Sequence, residues 1–131
     1  MRARKFGNID SNHLEIANAL RKAGYSVGEV SAAANFVDLV VADILGMTVL
    51  LEIKTETGKF YLSQLETIGN WKGNVCFVNS AEDALEKLKT HKFLTNLEKE
   101  KILRFAYRQR LKSLAKNPQV AVKKLEKELG L

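Results

Sequence analysis

The most constraining stretch of the chain is an apolar run that ends in two formal charges. Met47 to Ile53 is nearly all apolar and carries the β-branched residues Thr48, Val49 and Ile53, which predicts a buried strand. The run closes as Leu50-Leu51-Glu52-Ile53-Lys54-Thr55. Strand side chains alternate between faces, so Glu52 and Lys54 point the same way while Ile53 packs behind them. Charged side chains are rarely buried unpaired, because losing their hydration costs several kcal/mol per ion. Two arrangements offset that cost. One is a mutual ion pair. The other is a metal ion held by the carboxylate, with the ammonium set against a phosphate or a water.

The preceding strand bears on the choice. Phe36-Val37-Asp38-Leu39-Val40-Val41 is again apolar with a single acid inside it. A short connection from Asp43 to Gly46 predicts a hairpin, which makes the two strands neighbours. Asp38 and Glu52 then converge. Two carboxylates and a lysine in an apolar setting are an oxygen-ligand site for a hard cation such as Mg²⁺ or Mn²⁺. Such sites leave room for phosphate oxygens and water, and they activate that water for attack on a phosphodiester. Asp38 as a strand-end acid capping a turn is the plainer reading, and the three apolar residues after it argue against a turn.

Asp38 followed by Glu52-Ile53-Lys54 resembles the Asp…(Asp/Glu)-x-Lys signature of the PD-(D/E)XK nucleases. The wider run is similar to the virus-type replication-repair nuclease branch, VRR-NUC. The matching positions are a first helix carrying Glu15, the Asp38 strand, the Glu-x-Lys strand and a helix carrying Gln64 in Leu62-Ser63-Gln64-Leu65-Glu66. A Trp-x-Gly turn and strand, Trp71-Lys72-Gly73-Asn74-Val75-Cys76-Phe77-Val78, and a short helix at Ser80-Ala81-Glu82-Asp83-Ala84-Leu85 complete the set. The chain has Val37 where the family places Pro, and Ser31-Ala32-Ala33-Ala34-Asn35 where it places a Gly-rich loop. The resemblance covers roughly residues 6 to 90. It implies a restriction-endonuclease-like core in which Asp38, Glu52 and the Ile53 carbonyl hold Mg²⁺ or Mn²⁺. Lys54 then orients the attacking water and offsets charge on the phosphate. Glu15 completes the metal shell, and Gln64 positions water or substrate. It also implies DNA, branched or duplex, as substrate, a homodimer with two cleavable strands served by two sites, and a viral, prophage or prokaryotic cytoplasmic setting. The competing class is a non-catalytic nucleic-acid-binding protein on the same fold.

Read residue by residue, Glu15 has a second role open to it. Asn12 and Glu15 have the spacing of a capping box, with a helix starting between Asp10 and Asn12. Ile16, Ala19, Leu20 and Ala23 give that helix its buried face, and Gly24 ends it. His13 has no evident partner and reads as a surface residue. Gln64, without the resemblance, is an ordinary helix-surface amide, and Trp71 a core or lid residue.

At 131 residues the length predicts one domain with an appendage. The fold class expected is α/β, a small mixed sheet of about four strands flanked by helices, with a C-terminal helical hairpin appended. The nuclease-like domain is placed at residues 1–90 and the extension at 91–131. The longest apolar run is broken by Asp43 and Glu52, short of a membrane span. The basic start, Met1 to Phe6, lacks the apolar stretch of a signal peptide. One cysteine, Cys76, excludes an internal disulfide, and together with two distant histidines it excludes an ordinary structural zinc site.

Charge separates the two parts. Residues 1–90 carry ten Lys/Arg against eleven Asp/Glu, and residues 91–131 carry eleven against four, for a net charge of +6. A basic extension next to a candidate phosphodiester site suggests a polyanion partner ahead of a merely solvated helix face. Thr95 with Glu98 predicts a helix running to about Lys116. It carries Lys99, Arg104, Arg108, Arg110 and Lys112 as candidate phosphate contacts. Asn117-Pro118 predicts a break and a new helix with Pro118 in its first position.

Overall fold

The computed structural model describes residues 3–30 and 36–130, with side chains from residue 12 onward. The Ala-rich segment 31–35 and residues 1, 2 and 131 lie outside the described residues. The elements run α1 (Ala3–Lys22), β1 (Ser26–Glu29), β2 (Leu39–Ala42), β3 (Thr48–Ile53), β4 (Lys59–Tyr61), α2 (Leu62–Asn70), β5 (Asn74–Val78), α3 (Ala81–Thr90), α4 (Asn96–Lys112), β6 (Gln119–Ala121) and α5 (Val122–Leu129). The α/β class, the mixed four-stranded sheet and the flanking helices are as expected.

The main sheet has the order β1-β2-β3-β5. The first three strands pair antiparallel, and β5 joins β3 in parallel. The expected hairpin joins β2 to β3. Asp43 holds its turn through Oδ1, which accepts the N–H groups of Leu45 and Met47, both at 2.9 Å. Gly46 takes the left-handed conformation the turn needs, with φ +86°.

Strand alternation feeds two apolar cores. Leu39, Val41, Val49, Leu51, Cys76 and Val78 face α1 and α3, where Ile16, Ala17, Leu20, Ala84 and Leu88 close over them. Leu50, Val75 and Phe77 face the other side, against Leu62, Leu65 and Ile68 of α2, Ile102 and Phe105 of α4, and Leu125 and Leu129 of α5. Elements α4, β6 and α5, with Leu94 before them, thus cover one face of the sheet and share its core. Helices α2 and α4 approach closely at Gly69, where an added Cβ would lie 2.6 Å from Leu103 Cγ and 3.1 Å from the Lys99 carbonyl.

The sequence expectations differ from the structure at three places. Helix α1 begins at Ala3, so Asn12 and Glu15 lie inside it and form no capping box. Pro118 does not open a helix. Residues Gln119–Ala121 pair with β4 in a two-stranded antiparallel ribbon, and α5 starts only at Val122. The physical reason is that the ribbon caps two helices whose N-cap residues, Tyr61 and Ala121, make no side-chain cap bond. The Leu62 N–H at the start of α2 donates to the Pro118 carbonyl at 2.9 Å, and the Val122 N–H at the start of α5 donates to the Gly58 carbonyl at 3.0 Å. Each strand satisfies an orphan donor of the other strand's helix.

The third difference is in the basic residues of α4. Lys99 is buried, and its Nζ donates to the Trp71 and Gly73 carbonyls, both at 2.7 Å. Arg110 makes a two-pronged bond to Glu66, at 2.8 Å on each arm. Arg108 pairs with Glu128 and Arg104 with Glu100. Only Lys112 of the five is without an acid or carbonyl partner among the described residues. Thr95 and Glu98 do cap α4 reciprocally, at 2.9 and 3.0 Å, and the helix ends at Lys112, before the expected Lys116. No described helix is long and apolar enough to cross a membrane.

Candidate active site

The β2–β3 ladder sets Leu39 opposite Leu51 and Val40 opposite Leu50. One further step sets Asp38, just before β2, opposite Glu52 near the end of β3. Both lie on the face of the sheet that carries Leu50. Asp38 is held at two points. Its Oδ2 accepts the Ile53 N–H at 2.7 Å, and its own N–H donates to the Leu51 carbonyl at 3.1 Å. The two carboxylates are close enough to share a hydrogen bond when one is protonated.

Glu52 is 5% exposed. Its Oε2 accepts from Gln64 Nε2 at 3.0 Å, while Oε1 is enclosed and has no hydrogen-bond partner. The same amide of Gln64 donates to the Phe36 carbonyl at 2.9 Å, and its Oε1 accepts the Tyr61 N–H at 3.1 Å. Gln64 therefore ties the first turn of α2 to both acid-bearing strands. Phe36 stacks at a tilt against Trp71, with ring centroids 5.4 Å apart, and Trp71 itself is exposed.

Burial pushes the Glu52 carboxyl well above its ordinary 4.5. The neighbouring Asp38 charge adds to that rise, and the Gln64 hydrogen bond opposes it. Burial likewise raises Asp38 above 3.8, opposed by the Ile53 N–H and by His13. Among the described residues neither acid forms an ion pair. The pairing of Glu52 with Lys54 along one strand face does not occur. Lys54 Nζ instead meets Glu126 Oε2 of α5 at 2.5 Å.

Of the expected site residues, the structure brings Asp38, Glu52, Ile53 and Gln64 together. Lys54 lies on the same sheet face but is bonded to Glu126. Glu15 is exposed and makes no bond to either acid. In its place α1 sends His13, which shares the inward stripe of Ile16, Ala17 and Leu20 at helical spacing. The His13 ring is half-buried, its Nε2 is enclosed without a partner, and it lies within electrostatic reach of Asp38. That stripe was a usable signal for His13. No local signal marks Glu126, which reaches Lys54 from 72 positions along the chain.

The donor set suits a hard divalent cation. Two carboxylates face each other with a buried oxygen unsatisfied, and oxygen ligands are what such ions take. Among the described residues no three His, Cys, Asp or Glu side chains are grouped to hold a metal ion, and the acids that face each other here are the two, Asp38 and Glu52. No protein-family model matches the chain, and no curated protein or solved structure matches it.

Proposed function

We propose that the chain is a divalent-metal-dependent deoxyribonuclease that hydrolyses phosphodiester bonds, acting on branched or duplex DNA. The observation that carries the reading is the Asp38–Glu52 pair. Two acids on neighbouring strands face each other, Glu52 buried and Asp38 half-buried, with no cationic side chain paired to them among the described residues and one oxygen of Glu52 unpartnered. A fold does not keep such an arrangement for stability, since each uncompensated buried charge costs several kcal/mol. A bound cation removes the penalty, and perturbed acids of this kind concentrate where chemistry is done.

Asp38, Glu52 and the Ile53 carbonyl would hold Mg²⁺ or Mn²⁺. The ion would supply Lewis acidity at a phosphoryl oxygen and lower the pKa of an attacking water. Asp38 is kept in place by the Ile53 N–H, and Glu52 by Gln64, so neither needs to reorganise when phosphate arrives. Lys54 stands two residues beyond Glu52 on the same face, where its ammonium offsets charge on the phosphate. Phe36, whose carbonyl accepts from Gln64, packs its ring on Trp71 beside the pair. The homodimer that two-strand cleavage calls for has Tyr107, Leu111 and Leu114, on α4 and just beyond it, as exposed apolar side chains to bury.

The test is cleavage of flap, four-way and linear DNA with Mg²⁺, with Mn²⁺ and with chelator, for wild type beside Asp38→Ala, Glu52→Gln and Lys54→Ala. Metal-dependent cleavage that Asp38→Ala and Glu52→Gln abolish, and that Lys54→Ala reduces to a measurable residue, is the expected result. DNA binding with no cleavage under any metal would leave a non-catalytic binding protein. Cleavage unchanged in Asp38→Ala would place the chemistry elsewhere. Solution mass of wild type against Leu111→Glu reads the dimer.

A further inference from the structure

Lys54 is the one expected site residue whose partner is a surprise, and the partner is unusually well fixed. The lysine backbone is set by its N–H, which donates to the Val78 carbonyl at 2.8 Å. Its Nζ meets Glu126 Oε2, and the two side chains are only 12% and 31% exposed. Glu126 belongs to α5, whose Val122, Leu125 and Leu129 are buried in the core that also holds Leu50. The start of α5 is tied to Gly58, and Glu128 near its end to Arg108. Glu126 is therefore mounted on an anchored helix and stands apart from the loosely solvated acids of the surface. Glu56 nearby is directed to Lys123 and is mostly exposed.

A cleft of about 480 Å³ opens on the pair, lined by Lys54, Thr55, Glu56, Asn79 and Glu126. A lysine ammonium has three donors. Glu126 takes one, which leaves the others for what enters the cleft. A free lysine side chain carries about 2 kcal/mol of rotamer entropy. Holding it beforehand removes that cost from the reaction step.

We propose that Glu126 is the positioning residue of Lys54. It draws the ammonium away from Glu52 and fixes it at the mouth of the cleft, where Lys54 clamps a phosphate oxygen. Glu52 is thereby left free for the cation. The extension 91–131 then serves the reaction by completing the site from within the fold, a different role from that of a basic arm on DNA. What Lys54 acts on rests on the proposed phosphodiesterase activity.

The full-length chain is compared with Glu126→Gln, which keeps the shape, Glu126→Asp and Glu126→Ala. Two readouts are taken. The first is Lys54 acylation by an amine-reactive ester, mapped by mass spectrometry without metal or DNA. It is expected to speed up several-fold in Glu126→Gln while labelling of the other lysines is unchanged. The second is Mn²⁺-dependent cleavage. Glu126→Gln is expected to lose kcat by about 10–100-fold, the usual cost of removing a supporting partner. KM is expected to stay within about twofold. Glu126→Asp should recover part of the loss, and Glu126→Ala should add nothing to Lys54→Ala. Unchanged labelling of Lys54 overturns the proposal, as does faster labelling with unchanged kcat. Faster labelling in a protein that cleaves no substrate overturns the phosphodiesterase reading, and the role of Lys54 on phosphate with it.

Discussion

Replacing Glu52 by Gln should make the metal-free protein more stable while ending its proposed activity. The carboxylate is 5% exposed, one oxygen lacks a partner, and Asp38 faces it. Gln keeps an acceptor for Gln64 Nε2 and can turn its amide N–H toward the Asp38 carboxylate. That change exchanges an unsatisfied buried acceptor for a charge-assisted hydrogen bond, and each of these effects is worth about 1–3 kcal/mol. A net gain of about 1–3 kcal/mol corresponds to roughly 4–12 °C in Tm for a domain of this size.

The gain depends on pH with a defined sign. Both folded-state carboxyls lie above their unfolded values, so the native state binds more protons than the unfolded one. The pair's contribution to the stability of wild type in chelator is therefore greatest below the ordinary carboxylate values and is lost as pH rises from there through the raised folded ones. Glu52→Gln should flatten that fall. Saturating Mn²⁺, at a hundredfold excess over its Kd, should stabilise wild type by about 2.7 kcal/mol and leave Glu52→Gln nearly unmoved. The assay is thermal unfolding by circular dichroism from acid to alkaline pH, with chelator and with Mn²⁺. A destabilised Glu52→Gln variant, together with a wild type indifferent to Mn²⁺, would refute the reasoning. The Asp38–Glu52 pair would then be a stabilising feature with no need of a cation.

Other expectations concern the scaffold. Lys99→Met should cost about 2–4 kcal/mol in urea unfolding, because the Trp71 and Gly73 carbonyls both lose their donor. Gly69→Ala should cost about 1–3 kcal/mol in the same measurement, since the new methyl meets the Lys99 carbonyl as well as the movable Leu103 side chain. Burial pushes the Cys76 thiol up to about 12, so native protein at mildly alkaline pH should alkylate far more slowly than protein in urea, as read by mass spectrometry.

The parts legible in the sequence are those fixed by short-range pattern. The period of two along β2 and β3, with a short turn between them, was enough to bring Asp38 beside Glu52. Thr95 announced α4 by its cap, and the structure has it. The parts not legible depend on distant partners. Asn12 and Glu15 have capping spacing, yet the helix continues upstream of them, so the local pattern counted for nothing. Gln119 to Ala121 is too short to declare itself a strand and becomes one only because β4 offers an edge. The charges of α4 read as candidate phosphate contacts until Glu66, Glu100 and Glu128 are seen to take three of them. Charge counts locate cations along a chain but say nothing of which acids will be waiting for them.

The ribbon of β4 and β6 has a consequence for how the molecule is made. On the ribosome, the main sheet and its acids emerge well before Gln119 does. Until α5 follows, Leu50, Phe60, Leu62 and Leu65 lack part of their cover, the first turn of α2 lacks the Pro118 carbonyl, and Lys54 has no Glu126. A polypeptide released before that point carries the proposed metal ligands on a face still open to water. It should be sticky and prone to degradation, and with Lys54 unanchored it should cut nothing. Competence thus waits for β6 and α5 to be made, however early the acids themselves are in place.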